Sequence, residues 1–164
     1  MMLRDNDLRL RPVRIPEDID AAVPWYSDPE VLHFSEGPGT PAYTRDTVER
    51  MFRYLAEHGD AYIIEILESG TWLPIGDAAL LPDSLPIVIG SARHRSRGLG
   101  KRVLSLLIDR ATVLGRQTLT VGKIFEDNER SFRLYEGAGF VRQERSAKPG
   151  EPVSWKLVLT LPTA

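Results

Sequence analysis

At 164 residues, with 42% hydrophobic and 27% charged positions, the chain is long enough to bury a core as one domain over 1–164 and too short for two full ones. Its formal charge of -2 lacks the basic excess of nucleic-acid binders, and the absence of cysteine excludes disulfides, thiolate nucleophiles and cysteine-based zinc sites. Three scattered histidines, His33, His58 and His94, make no metal cluster, and no apolar run approaches the roughly 20 residues that span a bilayer.

The polar start MMLRDNDLRLR has no signal-peptide apolar region, so a cytoplasmic, membrane-free protein is expected. Leu8, Leu10 and Val13 alternate with arginines as in a half-buried first strand. IPEDIDAAVPW reads as a helix entered at Pro16 and ended by Pro24. WYSDPEVLHFSEGPGTPAYT, rich in Pro, Gly and aromatics, reads as a helical turn followed by a loop. Thr44 or Asp46 caps a helix whose Val48, Met51, Phe52 and Leu55 recur at helical spacing until His58-Gly59.

Three strands follow, AYIIEILE, WLPIGDAALL and LPIVIGSA, joined by the short turns ESGT and PDS and therefore expected as an antiparallel meander. From Leu99, the positions Val103, Leu106, Leu107, Ala111 and Leu114 mark one face of a helix that Gly115 can end. TLTVGKI reads as a strand, NERSFRLYEGAG as a short helix, and FVRQERSA with VSWKLVLTL as a closing hairpin around KPGEP. The sum is a single α/β (α+β) domain with a mixed, mostly antiparallel sheet flanked by helices.

Between PIVIG and the long helix lies RSRGLG, Arg95 to Gly100, with Arg93, Lys101 and Arg102 beside it. The free N–H groups and positive dipole end of a helix that begins here suit an anion, and glycines let the backbone approach it. A pyrophosphate fits that description, although Gly98 and Gly100 could also serve a tight turn alone. The phosphate loop G-x-x-x-x-G-K-[ST] is excluded, since Arg102 stands where Ser or Thr is needed. The dinucleotide fingerprint is excluded because no parallel strand-helix-strand unit precedes it.

RSRGLG resembles the R/Q-x-x-G-x-G/A acyl-CoA signature of the GNAT superfamily of N-acetyltransferases. Asn128 to Phe140, NERSFRLYEGAGF, is similar to that family's N-x-x-S-x-x-x-Y-x-x-x-G-F block. The resemblance implies a central sheet splayed into a V-shaped cleft, with pantetheine along one opened strand. It places the acetyl-CoA diphosphate on the N–H groups of Arg97, Gly98, Leu99, Gly100 and Lys101, where Arg95, Arg97 or Lys101 can add charge, with backbone groups near Ile89 holding the arm and the oxyanion. Tyr135 becomes the general acid to the departing thiolate; outside the motif it reads as a packing aromatic. Asn128 reads both as a helix cap and as a cofactor contact, and Ser131 as a further contact.

The strand LPIVIG lacks the carboxylate that many relatives use as a base. Asp77, in an apolar strand, is the first candidate; Asp83, Glu65 and Glu36 are others. Trp25, Tyr26, His33, Phe34, Glu36 and Tyr43 form a candidate acceptor wall, with Asp28, Glu30 and Glu36 suited to a cation, or else they complete the core. The run Trp25 to Val31 resembles aminoglycoside 6'-N-acetyltransferase-like and ribosomal-protein N-terminal acetyltransferase-like branches. The expected activity is acetyl-CoA-dependent transfer to a small amine or a peptide N-terminus by direct attack in a ternary complex, without metal or nucleic acid. The alternative is an acyl-CoA-binding sensor. VSWKLVLTL has the character of an exposed edge that could support a homodimer.

Overall fold

The computed structural model describes residues 1–162 and begins with a hairpin the sequence only half reveals. Strand β1 (Leu3–Asp5) turns through Asn6, at φ 52°, into β2 (Leu8–Pro12). A three-residue strand with a single apolar side chain offers no alternation to read. From β2 the sheet continues antiparallel through β3 (Asp60–Glu68), β4 (Thr71–Leu80) and β5 (Ile87–Ile89), in the order β1-β2-β3-β4-β5. The meander is present as expected. Its β3–β4 turn, Ser69-Gly70, has φ of 49° and 79°, the left-handed pair that matches strand twist in a two-residue hairpin.

Strand β5 is shorter than the run Pro86 to Ala92. Pro86 has no N–H, and the N–H groups of Gly90 and Ser91 both converge on the Ile75 carbonyl, where the β3–β4 register slips past Ile75.

The expected helix IPEDIDAAVPW shrinks to one turn, α1 (Ile19–Ala22), and a 3₁₀ turn (Trp25–Ser27) follows Pro24. Helix α2 (Pro29–Ser35) starts behind Asp28, whose carboxylate accepts the Glu30 N–H at 2.9 Å. Helix α3 (Arg45–His58) starts behind Thr44, which accepts the Thr47 N–H at 3.2 Å, and buries Val48, Phe52 and Leu55. Beyond β5 come α4 (Leu99–Val113), β6 (Thr118–Phe125), α5 (Glu129–Gly137), β7 (Val141–Ser146) and β8 (Ser154–Thr160).

The last three strands form a second antiparallel sheet, ordered β6-β8-β7. This corrects the expectation for VSWKLVLTL: β8 is central and bonded on both sides, so it offers no edge to a second chain, and β6 and β7 hold the two edge positions. Strands β5 and β6, on either side of α4, share no ladder. The mixed sheet is thus realised as two antiparallel sheets that part at this crossover.

Adjacent residues of β3 separate the two cores. Ile64 points into a cluster with Leu10, Leu104, Leu107, Phe132 and Leu157, between the sheets and under α4 and α5. Ile63 points into the other, with Ile19, Trp25, Tyr26, Phe52 and Ala79 under α1 to α3. Among the described residues, no helix is long and apolar enough to cross a membrane.

Candidate active site

The parting of β5 from β6 creates the site. The Pro86 carbonyl accepts from the Ala79 N–H, and the Gly90 N–H reaches the Ile75 carbonyl, so these residues face β4. In an antiparallel ladder the residues at the intervening non-bonded pairs turn their backbone groups the other way, which sends those of Ile87 and Ile89 into the gap. The gap closes at its foot. There the Tyr135 hydroxyl donates to the Leu85 carbonyl at 2.7 Å, and Gly122 of β6 lies so close to the Asp83 carbonyl that a Cβ would stand 2.9 Å from it.

Above this foot lies a cavity of about 380 Å³, lined by Ile87 to Ile89, the start of α4, one face of α5, and Val31 and Phe34 of α2. Gly98 enters α4 at φ 75°, a conformation strained for side-chain-bearing residues, although a Cβ there would meet nothing within 4 Å. The first helical hydrogen bond runs from the Arg102 N–H to the Gly98 carbonyl at 3.4 Å. The N–H groups of Leu99, Gly100 and Lys101 therefore have no helical acceptor, and they stand at the positive end of a 15-residue helix.

The surrounding cations divide. Arg93 is paired with Glu68, and Arg102 with Asp5 and Asp7. The expected anion contact from Arg95 is not what its geometry supplies: its guanidinium, largely buried, donates to Asp28 (2.7 Å), Glu30 (3.1 Å) and the carbonyls of Ile89 (3.0 Å) and Gly90 (2.9 Å). That bond to Arg95 is the main reason the Asp28 carboxyl titrates below its ordinary value. Among the described residues, only Arg97 and Lys101 of this group have no carboxylate partner.

Asn128 serves as the cap of α5. Its Oδ1 accepts the Ser131 N–H at 3.1 Å, while its Nδ2 donates to the Phe34 carbonyl at 3.3 Å, so both ends of the amide are engaged within the protein. Ser131 and Leu134 line the cavity, whereas Tyr135, 4% exposed, lies beneath it. Burial raises the Tyr135 phenol well above its ordinary value and keeps it protonated. Two further arrangements have no signal in the sequence, because their partners are distant along the chain. His94 is buried between Ser91 and Glu68, and Arg130 reaches Glu30, so that Glu30 bridges Arg95 and Arg130 from the two sides of the gap.

Asp77 lies on β4 opposite Val88, facing the core under α1 to α3. Its Oδ2 accepts from the Tyr26 hydroxyl at 2.7 Å. Its Oδ1 has no protein donor among the described residues, and the residue is 2% exposed. Burial pushes the Asp77 carboxyl up to about 7, with a smaller push from Glu36; the Tyr26 bond opposes them. The other candidate bases separate by environment. Glu65 is committed to Arg9 (2.7 Å) and Arg11 (3.3 Å), Asp83 lies exposed in the β4–β5 turn, and Glu36 faces the Tyr43 hydroxyl.

The expected acceptor wall also divides. Trp25 and Tyr26 are core residues, Trp25 so close over Gly90 that a Cβ there would collide with it. Tyr43 is half-buried and stacks on Tyr26 at 5.4 Å and 11°. Among the described residues, no group of three or more His, Asp or Glu side chains is arranged to hold a metal.

Residues 7–141 match the family model of the acetyltransferase (GNAT) domain. A search of curated protein sequences gives no match. Solved structures with the same fold include spermidine N-acetyltransferase from Vibrio cholerae in complex with CoA and spermine, at 15% identity and a TM-score of 0.77 over 95% of this chain and 96% of that one. A domain from Methanocaldococcus jannaschii gives 19% and 0.78 over 94% and 98%. Aminoglycoside acetyltransferase AAC(6')-Ib in complex with coenzyme A gives 19% and 0.72 over 93% and 94%. At these identities the likeness is one of fold.

Proposed function

Because this chain belongs to the GNAT acetyltransferase family, we propose that it transfers the acetyl group of acetyl-CoA to a primary amine by direct attack in a ternary complex. The observation that carries this reading is the edge of β5 that no other strand pairs, only its Ile89 carbonyl being held, by Arg95, and that leads directly into the unbonded N–H groups at the start of α4. An extended amide chain such as pantetheine can pair with Ile87 and Ile89, and a diphosphate can rest on the backbone from Arg97 to Lys101. Arg97 and Lys101 add charge. Arg95 acts behind them by holding the β5 end and α2 in place. Complexes of similar structures with CoA support this choice of donor, and their amine substrates support the acceptor class.

The chemistry divides between Asp77 and Tyr135. Asp77, ionised above about pH 7, takes a proton from the acceptor ammonium through water. The free amine forms a C–N bond to the thioester carbon, and a β5 backbone N–H, at Ile87 or Ile89, meets the oxyanion. Collapse breaks the C–S bond. Tyr135 turns its hydroxyl from the Leu85 carbonyl to the sulfur and protonates it; the second proton, shed by the new amide nitrogen, restores the Tyr135 phenol through water, and Asp77 returns the first to solvent. With no cysteine, an acetyl-cysteine route is closed.

Tyr135→Phe tests this. General acid assistance contributes roughly 10²–10⁴-fold. The variant is expected to lose kcat on that scale while calorimetric titration shows unchanged acetyl-CoA binding. Unchanged kcat removes Tyr135 from the acid role, and a wild-type protein that binds CoA yet acetylates no amine leaves a binding module.

A further inference from the structure

Most acidic side chains around the cleft have a cationic partner. Asp28 and Glu30 meet Arg95 and Arg130, and Glu68 meets Arg93, while Asp127 is hydrogen-bonded to the His33 ring. Among the described residues, the carboxylates of Asp77 and Glu36 have neither a cation nor a histidine ring beside them, and nor does Asp83, which is exposed in the β4–β5 turn. Asp77 is accounted for by the reaction, but Glu36 is not.

The position of Glu36 is unfavourable on every local count. It is the residue that ends α2, where the helix dipole opposes negative charge. Solvent reaches the residue, yet enough protein packs round its carboxyl to raise its pKa by desolvation, with only the Tyr43 hydroxyl as relief. Nor is it a side chain on a loose loop. Gly37, next to it at φ 114°, lies against the Phe125 ring, where a Cβ would stand 3.1 Å from Cζ. The Tyr43 N–H donates to the Tyr26 carbonyl at 2.9 Å, and Thr40 Oγ1 donates to the Gly37 carbonyl at 2.8 Å. The fold thus fixes an uncompensated carboxylate beside a half-exposed aromatic ring. That ring is stacked on Tyr26, whose hydroxyl holds Asp77.

We propose that Glu36 and Tyr43 bind a second cationic nitrogen of the acceptor, so that the substrate class is a flexible diamine or polyamine. This rests on the reading of Asp77 as the group that serves the reacting amine. The two carboxylates are linked through the Tyr26–Tyr43 stack, Asp77 beside the Tyr26 hydroxyl and Glu36 beside that of Tyr43. An acceptor with two basic nitrogens neutralises Glu36 with one and offers the other to the reaction that Asp77 serves through water. The Tyr43 face adds a cation–π contact to the charge pair. A monoamine or an ordinary peptide N-terminus fills one of the two positions and leaves Glu36 unpaired.

Steady-state acetylation of n-butylamine and of putrescine by wild type and Glu36→Gln tests the proposal. Wild type is expected to favour the diamine in kcat/KM by about tenfold, mainly through KM, the scale of one partly shielded ion pair. Glu36→Gln is expected to lose about tenfold more on putrescine than on butylamine, with the KM for acetyl-CoA unmoved. Equal wild-type kcat/KM for the two amines, equal losses in the variant, or a preference for a peptide with a free N-terminus overturns it. If neither amine is turned over, the transferase reading fails on its own. Calorimetry of putrescine on the CoA-loaded protein then decides the second site: binding that Glu36→Gln abolishes upholds it, and no binding overturns it.

Discussion

Asp77 is the residue whose placement is hardest to reconcile with stability alone. It is 2% exposed, and the protein lifts its carboxyl from 3.8 to about 7. A carboxyl raised on folding favours the folded state fully below its unfolded value, and that contribution is lost as pH rises from about 4 through 7. Above pH 7 the ionised side chain weighs against folding by a few kcal/mol, since each tenfold change in a protonation equilibrium corresponds to about 1.4 kcal/mol. Asp77→Asn keeps an acceptor for the Tyr26 hydroxyl and carries no charge. In urea unfolding it should exceed wild type in stability at pH 8 and lose that advantage by pH 5, while its acetyl transfer disappears. A variant equally stable at both pH values would show that Asp77 does not titrate in this range. The acid inside the apolar run IGDAA makes Asp77 the first of four candidate bases in the sequence. Tyr26 was hidden there, since a partner 51 residues away is a product of the tertiary fold.

At the scale of elements, legibility tracked local periodicity. The long helices, the β3–β4–β5 meander and the strand-helix-strand order from β5 to β6 follow from patterns that repeat over several residues. The elements missed or misjudged are those that neighbours decide. Strand β1 exists because β2 pairs with it, β5 ends where the Ile75 bulge takes its next two N–H groups, and β8 is central because it inserts between β6 and β7. The partners of Arg95 are hidden in the sequence for the same reason. RSRGLG identifies a cationic turn but not which cations the acids of α2 have already claimed. Removing that clasp predicts a distinct signature. Arg95→Ala strands the Asp28 carboxylate and two carbonyls, leaves Glu30 to Arg130 alone, and is expected to cost about 2 kcal/mol in urea unfolding, allowing for the exposure of Glu30. Arg95→Lys should recover little of it, since one ammonium cannot span four acceptors. If both variants kept wild-type stability and lost only CoA affinity, Arg95 would be a diphosphate contact after all.

Taken whole, the molecule is two sheets joined at the foot of a gap and bridged across its mouth. The Tyr135–Leu85 bond closes the foot, while α2 crosses above and is tied to the β5 side through Arg95 and to the α5 side through Arg130 and Asn128. A ligand that fills this gap completes β5 on its open side. Amide hydrogen exchange can report that event residue by residue. The Val88 N–H faces β4 and is protected without ligand; those of Ile87 and Ile89 face the gap. With acetyl-CoA at 100 times its Kd, linkage adds about 2.7 kcal/mol of stability to the whole domain. That gain slows exchange in the core by about a hundredfold, in proportion to global unfolding. If the pantetheine arm pairs with β5, Ile87 and Ile89 should move from near-unprotected to protected, a change larger than that of Val88. If the ligand is held by its diphosphate alone, the start of α4 gains protection and these two amides do not.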